Sequence, residues 1–125
     1  SDNSFSTVIL SQTIQATIFP ERVIKNLIRI GKRAIISFPN FGYWRIRKDF
    51  LFNGRMPKND ILPFEWFNTP NIHLCSVNDF VKFCKKLKIK INYQILLNKD
   101  GKKVFFDKFL GNLLSYQVIF CVSKK

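Results

Sequence analysis

The side chains best suited to acid–base chemistry in this sequence are few and scattered. His73 is the only histidine, and histidine is the residue type whose ordinary pKa lies nearest neutral pH. His73 is therefore the first candidate for a general base, with Tyr43 as a second. The alternative is a structural role for His73, because the residue lies just before a predicted helix start, where a ring nitrogen often bonds a loop carbonyl. The carboxylates Asp60, Glu65 and Asp79 form no recognisable acid–base pair, so the catalytic residue stays open.

The cysteines predict buried free thiols. The sequence has three cysteines, an odd number, and no C-x-x-C pair. Each lies among apolar neighbours: Cys75, Cys84 and Cys121. This pattern favours core packing over a metal site or a disulfide. We therefore expect no metal.

A long aromatic and basic segment, residues 39–74, shows neither helical nor strand periodicity and is predicted to be a loop. Ordering so long a loop costs conformational entropy, and long loops in compact domains are usually functional. Its arginines suit a carboxylate or an acidic rim, and its aromatic side chains suit an interface. A lid over a substrate, a docking surface and simple packing onto its own domain all remain open. The candidate residues are Asn40, Tyr43, Trp44, Arg45, Arg47, Arg55 and Trp66.

Two strands joined by a helix are predicted near the start of the chain. The run Phe5 to Gln12 has a short apolar centre, Val8 to Leu10, which predicts a buried parallel strand. A helix follows, because Pro20 suits the first helical position and Gly31 can end it. The run Arg33 to Phe38 predicts a second buried strand, which completes a βαβ unit. Four apolar residues of the helix share one face and are expected to pack on the sheet: Val23, Ile24, Leu27 and Ile28.

A helix and two strands are predicted after the long segment. Ser76 fits an N-cap, and Asp79 makes a variant of the capping box. The run that begins at Lys90 alternates in part and contains the turn signal Asp100-Gly101, and a further strand is predicted over Ser115 to Val122. We expect these strands to form an antiparallel pair at a sheet edge. The predicted order is β-α-β, long loop, α-β-β.

Length and charge restrict the classes of protein. The 125 residues suit a single domain. No apolar run approaches the roughly 20 residues that a membrane span needs, so we expect no membrane association and a cytoplasmic protein. A net charge of +13 would suit nucleic acid, but the lysines are scattered rather than striped. We therefore predict a solvated basic surface and no nucleic-acid partner; the opposite case would show affinity falling steeply with salt.

Four stretches of the sequence carry a family resemblance: FSTVILSQTIQAT, RAIISFPNFGYWRIR, NGRMP and LPFEWFNTPNIHLCSVNDF. Together they resemble the MetW family of methionine-biosynthesis proteins, within the class I S-adenosylmethionine methyltransferase superfamily. The resemblance runs from about Phe5 to Leu87. It implies an α/β fold, the C-terminal half of a Rossmann-like methyltransferase sheet, with the fourth to seventh strands present. We therefore expect this chain to be the C-terminal part of a longer methyltransferase-like domain.

Some site residues follow from the resemblance alone. In related methyltransferases the segment after the fourth strand lies beside the methionine part of the cofactor, which would place Ser11 and Gln12 against S-adenosylmethionine. Alternatively, their side chains cap loop amides. The Gly-rich turn of the D-x-G-C-G-x-G type is absent from this sequence. S-adenosylmethionine is thus expected for the full-length family, and no cofactor for this chain alone.

Two functions remain open. The resemblance favours an accessory protein of methionine biosynthesis that binds a homoserine O-acetyltransferase or O-succinyltransferase and supports its activity. The alternative is an S-adenosylmethionine-dependent methyltransferase acting on a small molecule, since methyl transfer can run largely by proximity and orientation. His73 or Tyr43 would then lie near the methyl acceptor.

Overall fold

Four strands form one sheet in the computed structural model, which describes residues 1–60, 62–105 and 108–125. The strands are β1 (Phe5–Ser11), β2 (Gly31–Pro39), β3 (Ile89–Leu97) and β4 (Gln117–Lys124). Their spatial order is β1-β2-β4-β3. Strands β1 and β2 run parallel, and β4 pairs antiparallel with both β2 and β3. The predicted parallel βαβ unit and the antiparallel edge pair are both confirmed.

Helices connect these strands. A 3-10 turn, Ile14–Ala16, follows β1, and the α-helices are α1 (Pro20–Ile30), α2 (Trp44–Asn53), α3 (Val77–Lys86) and α4 (Lys108–Leu114). Helices α1 and α3 were predicted. Helices α2 and α4 were not, and α2 lies inside the segment that the sequence predicted as a continuous loop. That part of the prediction is wrong.

The termini of α1 and α3 follow their sequence signals. Pro20 is the first residue of α1, and Gly31 follows its last residue and opens β2 directly. At α3 the predicted capping box is present: the Asp79 backbone N–H donates to Ser76 Oγ at 3.2 Å, and the Ser76 N–H donates to the Asp79 carboxylate at 3.2 Å. Two orphan N–H groups of the first turn are thereby satisfied.

The core lies between one face of the sheet and helices α1 and α3. Its centre is an aromatic cluster of Phe38, Phe80 and Phe120, whose ring centroids lie 4.6–6.0 Å apart. Ile24 of α1 is fully buried in the same cluster, and its predicted partners on that helix face, Val23, Leu27 and Ile28, pack against it. Each buried aromatic ring removes a large apolar area from water, so this cluster is the main source of stability.

Strand β1 differs from its prediction. The apolar run Val8 to Leu10 was predicted to be buried, but among the described residues β1 pairs only with β2, so its other edge has no partner there. Val8 and Leu10 are half-buried, while Ile9, on the opposite face, is 69% exposed. The reason is that no described strand pairs with the outer edge of β1.

The turn signal Asp100-Gly101 forms a turn, although it does not join β3 to β4 directly. Gly101 has φ +77°, and its N–H donates to Asn98 O at 3.0 Å. After the turn, a single antiparallel bridge joins Lys103 to Leu97 at the end of β3. Helix α4 and then β4 follow. A positive φ is the conformation that glycine adopts without strain.

We predict that Gly31→Ala destabilises the protein by about 1–3 kcal/mol, the usual cost of overpacking. A Cβ at this position would lie 2.5 Å from Val8 Cγ2 and 3.1 Å from Arg33 O. Chemical denaturation of the full-length protein measures the change. The double variant with Val8→Ala should recover part of the loss, whereas strictly additive losses would contradict a steric cause.

Candidate functional site

Strands β1 and β2 end at the same edge of the sheet, because they are parallel. Open α/β sheets bind their ligands outside the carboxyl ends of such strands. Here those ends are Ser11 and Pro39. The chain leaves β1 through Gln12, whose φ is +50° and whose N–H donates to Ser37 O at 2.9 Å. The segments after β1 and β2 are thus held side by side.

Asn40, the first residue after β2, organises this edge. Its Nδ2 donates to the backbone oxygens of Asn112, at 2.7 Å, and Ser115, at 2.8 Å. Its Oδ1 accepts from the N–H groups of Gly42, at 3.0 Å, and Val77, at 3.2 Å. Two donors and two acceptors are all that an asparagine amide has for such bonds. Because Asn40 is also 0% exposed, the structure gives it a structural role in place of the predicted ligand or partner contact.

The segment after Asn40 leaves the sheet and returns to nearly the same place. The Phe41 N–H donates to Cys75 O at 3.0 Å, and the His73 N–H donates to Gln15 O at 2.9 Å. Between these closures lie α2 and a stretch without regular structure in its described residues. We call this segment, residues 41–75, the excursion; it is closed at its base by backbone hydrogen bonds.

Tyr43 packs at the base of this excursion. It is the residue before α2 and is 8% exposed. Tyr43 and Ile46 form a small apolar cluster, against which Phe41, Leu62 and Tyr116 pack. The Tyr43 and Tyr116 rings meet edge to face, with centroids 5.6 Å apart. Burial raises the pKa of Tyr116 above its ordinary value, with Asp60 as a second cause. This environment suits packing of the Tyr43 and Tyr116 rings, and the raised pKa of Tyr116 disfavours loss of its proton near neutral pH.

His73 is exposed, and the bond that holds it is made by its backbone N–H rather than by the ring. Among the described residues the ring has no hydrogen-bond or ion-pair partner, which differs from the predicted bond to a loop carbonyl. The residue borders an open groove of about 260 Å³ between the 3-10 turn and α3. Asp79 lines the same groove, but its carboxylate is engaged in the α3 cap. The structure therefore assembles no acid–base pair at His73 from the described residues.

Gln15 is a site feature that the sequence did not signal. It is 6% exposed; its Nε2 donates to Gln12 O at 3.0 Å, while its Oε1 is buried and has no hydrogen-bond partner among the residues that the structure describes. It borders a cavity of about 10 Å³, also lined by Pro39 and Asn71. That volume matches roughly one water molecule, which would satisfy the oxygen. A single glutamine after a strand has no pattern that would reveal this.

Ser11 and Gln12, predicted beside the cofactor from the family resemblance, lie exposed at the end of β1. Ser37 Oγ lies 3.3 Å from Ser11 Oγ and 3.4 Å from Gln12 Nε2. These are long contacts, at the limit of hydrogen bonding. The two side chains therefore face both the neighbouring strand and solvent, and their role toward a cofactor stays a prediction.

The remaining predicted loop residues lie on the surface of the excursion. Trp44 is 39% exposed with the Arg45 guanidinium 5.8 Å from its ring centre, and Trp66 is 74% exposed. Arg47 and Arg55 are also exposed, and Arg47 Nε donates to Gly42 O at 2.7 Å. The prediction missed the most exposed apolar residues of α2, because without a recognised helix their positions could not be assigned: Phe50, Leu51 and Phe52.

The cysteines are free thiols in or beside the core. Cys84 and Cys121 are buried and Cys75 is half-buried, as predicted. Burial raises the pKa of Cys75 to about 12, with Asp79 as a lesser cause, and burial raises the pKa of Cys84 to about 12. No group of three or more His, Cys, Asp or Glu side chains within residues 1–60, 62–105 and 108–125 is placed to hold a metal ion.

Comparison with known proteins identifies the family. The profile of the family described as "Methionine biosynthesis protein MetW" matches residues 1–122. This chain belongs to the MetW family. A "Bifunctional methionine biosynthesis protein MetXA/MetW" from Rhodopirellula baltica is 34% identical over 105 residues, which cover 82% of this chain and 17% of that protein. The MetW chain therefore spans only a small part of this relative.

The fold has a counterpart among solved structures. A SAM-dependent methyltransferase from Thermotoga maritima, described as a possible histamine N-methyltransferase, matches with a TM-score of 0.62 and 17% sequence identity. The match covers 100% of the MetW chain and 58% of the methyltransferase. At this identity the likeness establishes the fold, and the MetW chain has the architecture of part of a Rossmann-like methyltransferase sheet.

The residues of this chain do not by themselves fit S-adenosylmethionine. The glycines at positions 31, 42, 54, 101 and 111 never fall into the Gly-rich spacing that lets a backbone approach a bound nucleotide. At the end of β1 the polar groups in position are Ser11 and Gln12, which already contact Ser37.

We predict that Asn40→Ala destabilises the full-length protein by about 3–5 kcal/mol, because it leaves two carbonyls and two N–H groups buried without partners. Asn40→Asp should also be costly, since a carboxylate cannot donate to the Asn112 and Ser115 carbonyls. Asn78→Ala, an exposed asparagine on α3, is the control and should change the free energy of unfolding by less than about 0.5 kcal/mol. Equal losses in a denaturation experiment would contradict the structural role.

We predict that the thiols of Cys75 and Cys84 react slowly with iodoacetamide at pH 8. A pKa of about 12 leaves far less thiolate than an ordinary cysteine has, so alkylation should be on the order of a hundred to a thousandfold slower than in guanidinium chloride. The rate should rise as pH approaches 12. Peptide mapping by mass spectrometry measures each site, and labelling of Cys75 at the denatured rate would show that its thiol is neither buried nor shifted.

Proposed function

We propose that this MetW protein is an accessory protein of methionine biosynthesis that binds a homoserine O-acyltransferase and supports its activity. The observation that carries the proposal is the relative whose name joins MetXA and MetW in one bifunctional polypeptide. Fusion of two activities in one chain is consistent with separate proteins that work in contact. The match of the MetW family over residues 1–122 brings this chain within the same family.

The geometry of the carboxyl edge supports an accessory role. Asn40, which lies where a catalytic or ligand-binding side chain is often found, is used entirely in holding the fold. Tyr43 is packed in a small apolar cluster, and the His73 ring has no partner that would orient it as a base within the described residues. What this edge presents to solvent is the aromatic and basic surface of the excursion.

The second candidate is an S-adenosylmethionine-dependent methyltransferase that acts on a small molecule. It is supported by the fold that the chain shares with a solved methyltransferase. In that case Ser11 and Gln12 would contact the cofactor, and His73 or Tyr43 would lie near the methyl acceptor. The residues that bind most of the cofactor would have to come from outside this chain.

Two titrations on the full-length protein separate the candidates. The first adds it to a purified homoserine O-acyltransferase while the turnover of that enzyme is measured. We expect saturable binding and raised turnover, with no dependence on S-adenosylmethionine. The second is calorimetry with S-adenosylmethionine, with Ser11→Ala and Gln12→Ala as variants.

Each outcome decides between the proposals. Binding to the acyltransferase with raised turnover supports the accessory function. Cofactor binding that weakens in the Ser11 and Gln12 variants, together with no effect on the acyltransferase, would contradict it and favour the methyltransferase. Binding to nucleic acid that falls steeply with salt would instead contradict the expectation of a merely solvated basic surface.

A further inference from the structure

The C-terminal half of α2 carries apolar side chains that its own chain does not cover. Phe50, Leu51 and Phe52 are 54%, 76% and 75% exposed. Ile46 is the buried residue of this ten-residue helix. Neighbouring exposed apolar residues of this size on one helix mark an interaction site more often than chance exposure. We call Phe50, Leu51 and Phe52 the α2 tip.

The α2 tip is apolar around most of its circumference. Successive helical residues are about 100° apart, so three in a row span about 200°. Ile46 anchors the helix to its own domain, and Phe50, one turn later, continues that side. Leu51 and Phe52 then turn away from it. A flat surface could cover only one of these sides, whereas a groove can enclose them together, as in helix-in-groove recognition.

The charges near the α2 tip indicate the rim of that groove. Arg45, Lys48 and Arg55 are exposed, and the ion pairs of the described residues involve none of the three. Asp49, which is half-buried, is the single carboxylate of α2, and Glu65 is already paired with Lys58 at 2.5 Å, so cations outnumber carboxylates on this helix. A partner with acidic residues around the groove would complement these cations.

We propose that the α2 tip inserts into an apolar groove with an acidic rim on a partner protein, and that this partner is the homoserine O-acyltransferase. The identity of the partner rests on the proposed function; the shape and charge of its groove rest on α2 alone. A second copy of this chain fits less well, because a symmetric contact would bring Arg45, Lys48 and Arg55 close to their own counterparts. A membrane surface also fits less well, since it favours one apolar stripe along a helix, and the α2 tip is apolar on several sides.

The test compares Leu51→Glu and Phe52→Glu with Ile18→Glu in the full-length protein. Ile18 is a matched control, because it is 72% exposed and lies between the 3-10 turn and α1, outside the proposed contact. Affinity for the purified acyltransferase is measured by calorimetry. Each α2 variant should bind at least about tenfold more weakly, the loss typical of an interface anchor, while the control should stay within about twofold of the wild type. Phe52→Ser, which adds no charge, should weaken binding in the same direction, and thermal unfolding checks that all variants fold.

A second experiment tests whether the groove on the partner has an acidic rim. Lys48→Glu should slow association with the acyltransferase at low salt, with a smaller effect at high salt, because an exposed rim charge acts mainly through steering. Lys82→Glu is a matched reversal, because Lys82 is exposed on α3 and, like Lys48, takes part in none of the ion pairs of the described residues; it should leave the association rate nearly unchanged. Equal rates for Lys48→Glu and Lys82→Glu would contradict an acidic rim opposite α2.

The outcomes separate this inference from the proposed function. If the wild type binds the acyltransferase and the Leu51 and Phe52 variants bind equally well, the docking inference is wrong and the accessory function stands. If the wild type does not bind the acyltransferase, both the docking inference and the proposed accessory function are wrong. Light scattering that shows a wild-type dimer lost in Leu51→Glu would assign the α2 tip to a second copy. Sedimentation with phosphatidylcholine–phosphatidylglycerol vesicles that depends on Leu51 would assign it to a membrane surface, and either result would overturn the proposal.

Discussion

The hydrogen bonding of Asn40 is the interaction on which the rest of this structure depends. Its amide joins the end of β2 to the start of α3, to the end of α4 and to the first turn before α2. Three parts of the chain that are distant in sequence, at residues 40–42, 77 and 112–115, are thus fixed by one side chain that is fully buried. Gly42 must lie close to Asn112 for this arrangement, since a Cβ there would be 2.8 Å from Asn112 Oδ1. A buried amide of this kind is stabilising only because every one of its groups is paired.

Once the base is fixed, the chain between Phe41 and Cys75 is free to extend over the surface. Its own cluster is small: Tyr43 and Ile46, with Phe41, Leu62 and Tyr116 packed beside them. Much of its other apolar area faces solvent, including Trp66 and the α2 tip. A segment that is anchored firmly at its ends and covered poorly along its length is typical of a surface that is completed by binding. This is the physical link between the fold and the proposed accessory function.

Much of the fold could be predicted because its signals are local. Pro20 at a helix start, the Ser76 and Asp79 cap, and the β-branched runs of β1 and β2 each need only a few neighbouring residues to be interpreted. The order of the strands along the chain also followed from the sequence, and the family followed from its resemblance to MetW proteins. Helix α2 did not, because its apolar residues surround the helix instead of forming one stripe, so the periodicity that reveals an amphipathic helix is missing.

The site was predicted less well than the fold for a related reason. The role of Asn40 depends on carbonyls of Asn112 and Ser115, more than seventy residues away in sequence, and no local pattern encodes such partners. Asn40 was a candidate as part of the long predicted loop, and a position directly after a strand serves equally well for holding loops together. The exposed arginines and Trp66 were among the candidate residues of the predicted loop, but the sequence could not show that Leu51 and Phe52 are exposed on the same segment.

Hydrogen–deuterium exchange of the full-length protein, with and without a homoserine O-acyltransferase, tests the central claim most directly. The claim is that this MetW chain works through the excursion anchored by Asn40, with α2 as its contact. The account predicts that the acyltransferase slows exchange of amides in Trp44–Asn53 and leaves those of the sheet unchanged. Unchanged exchange in α2, with protection elsewhere or nowhere, would contradict it.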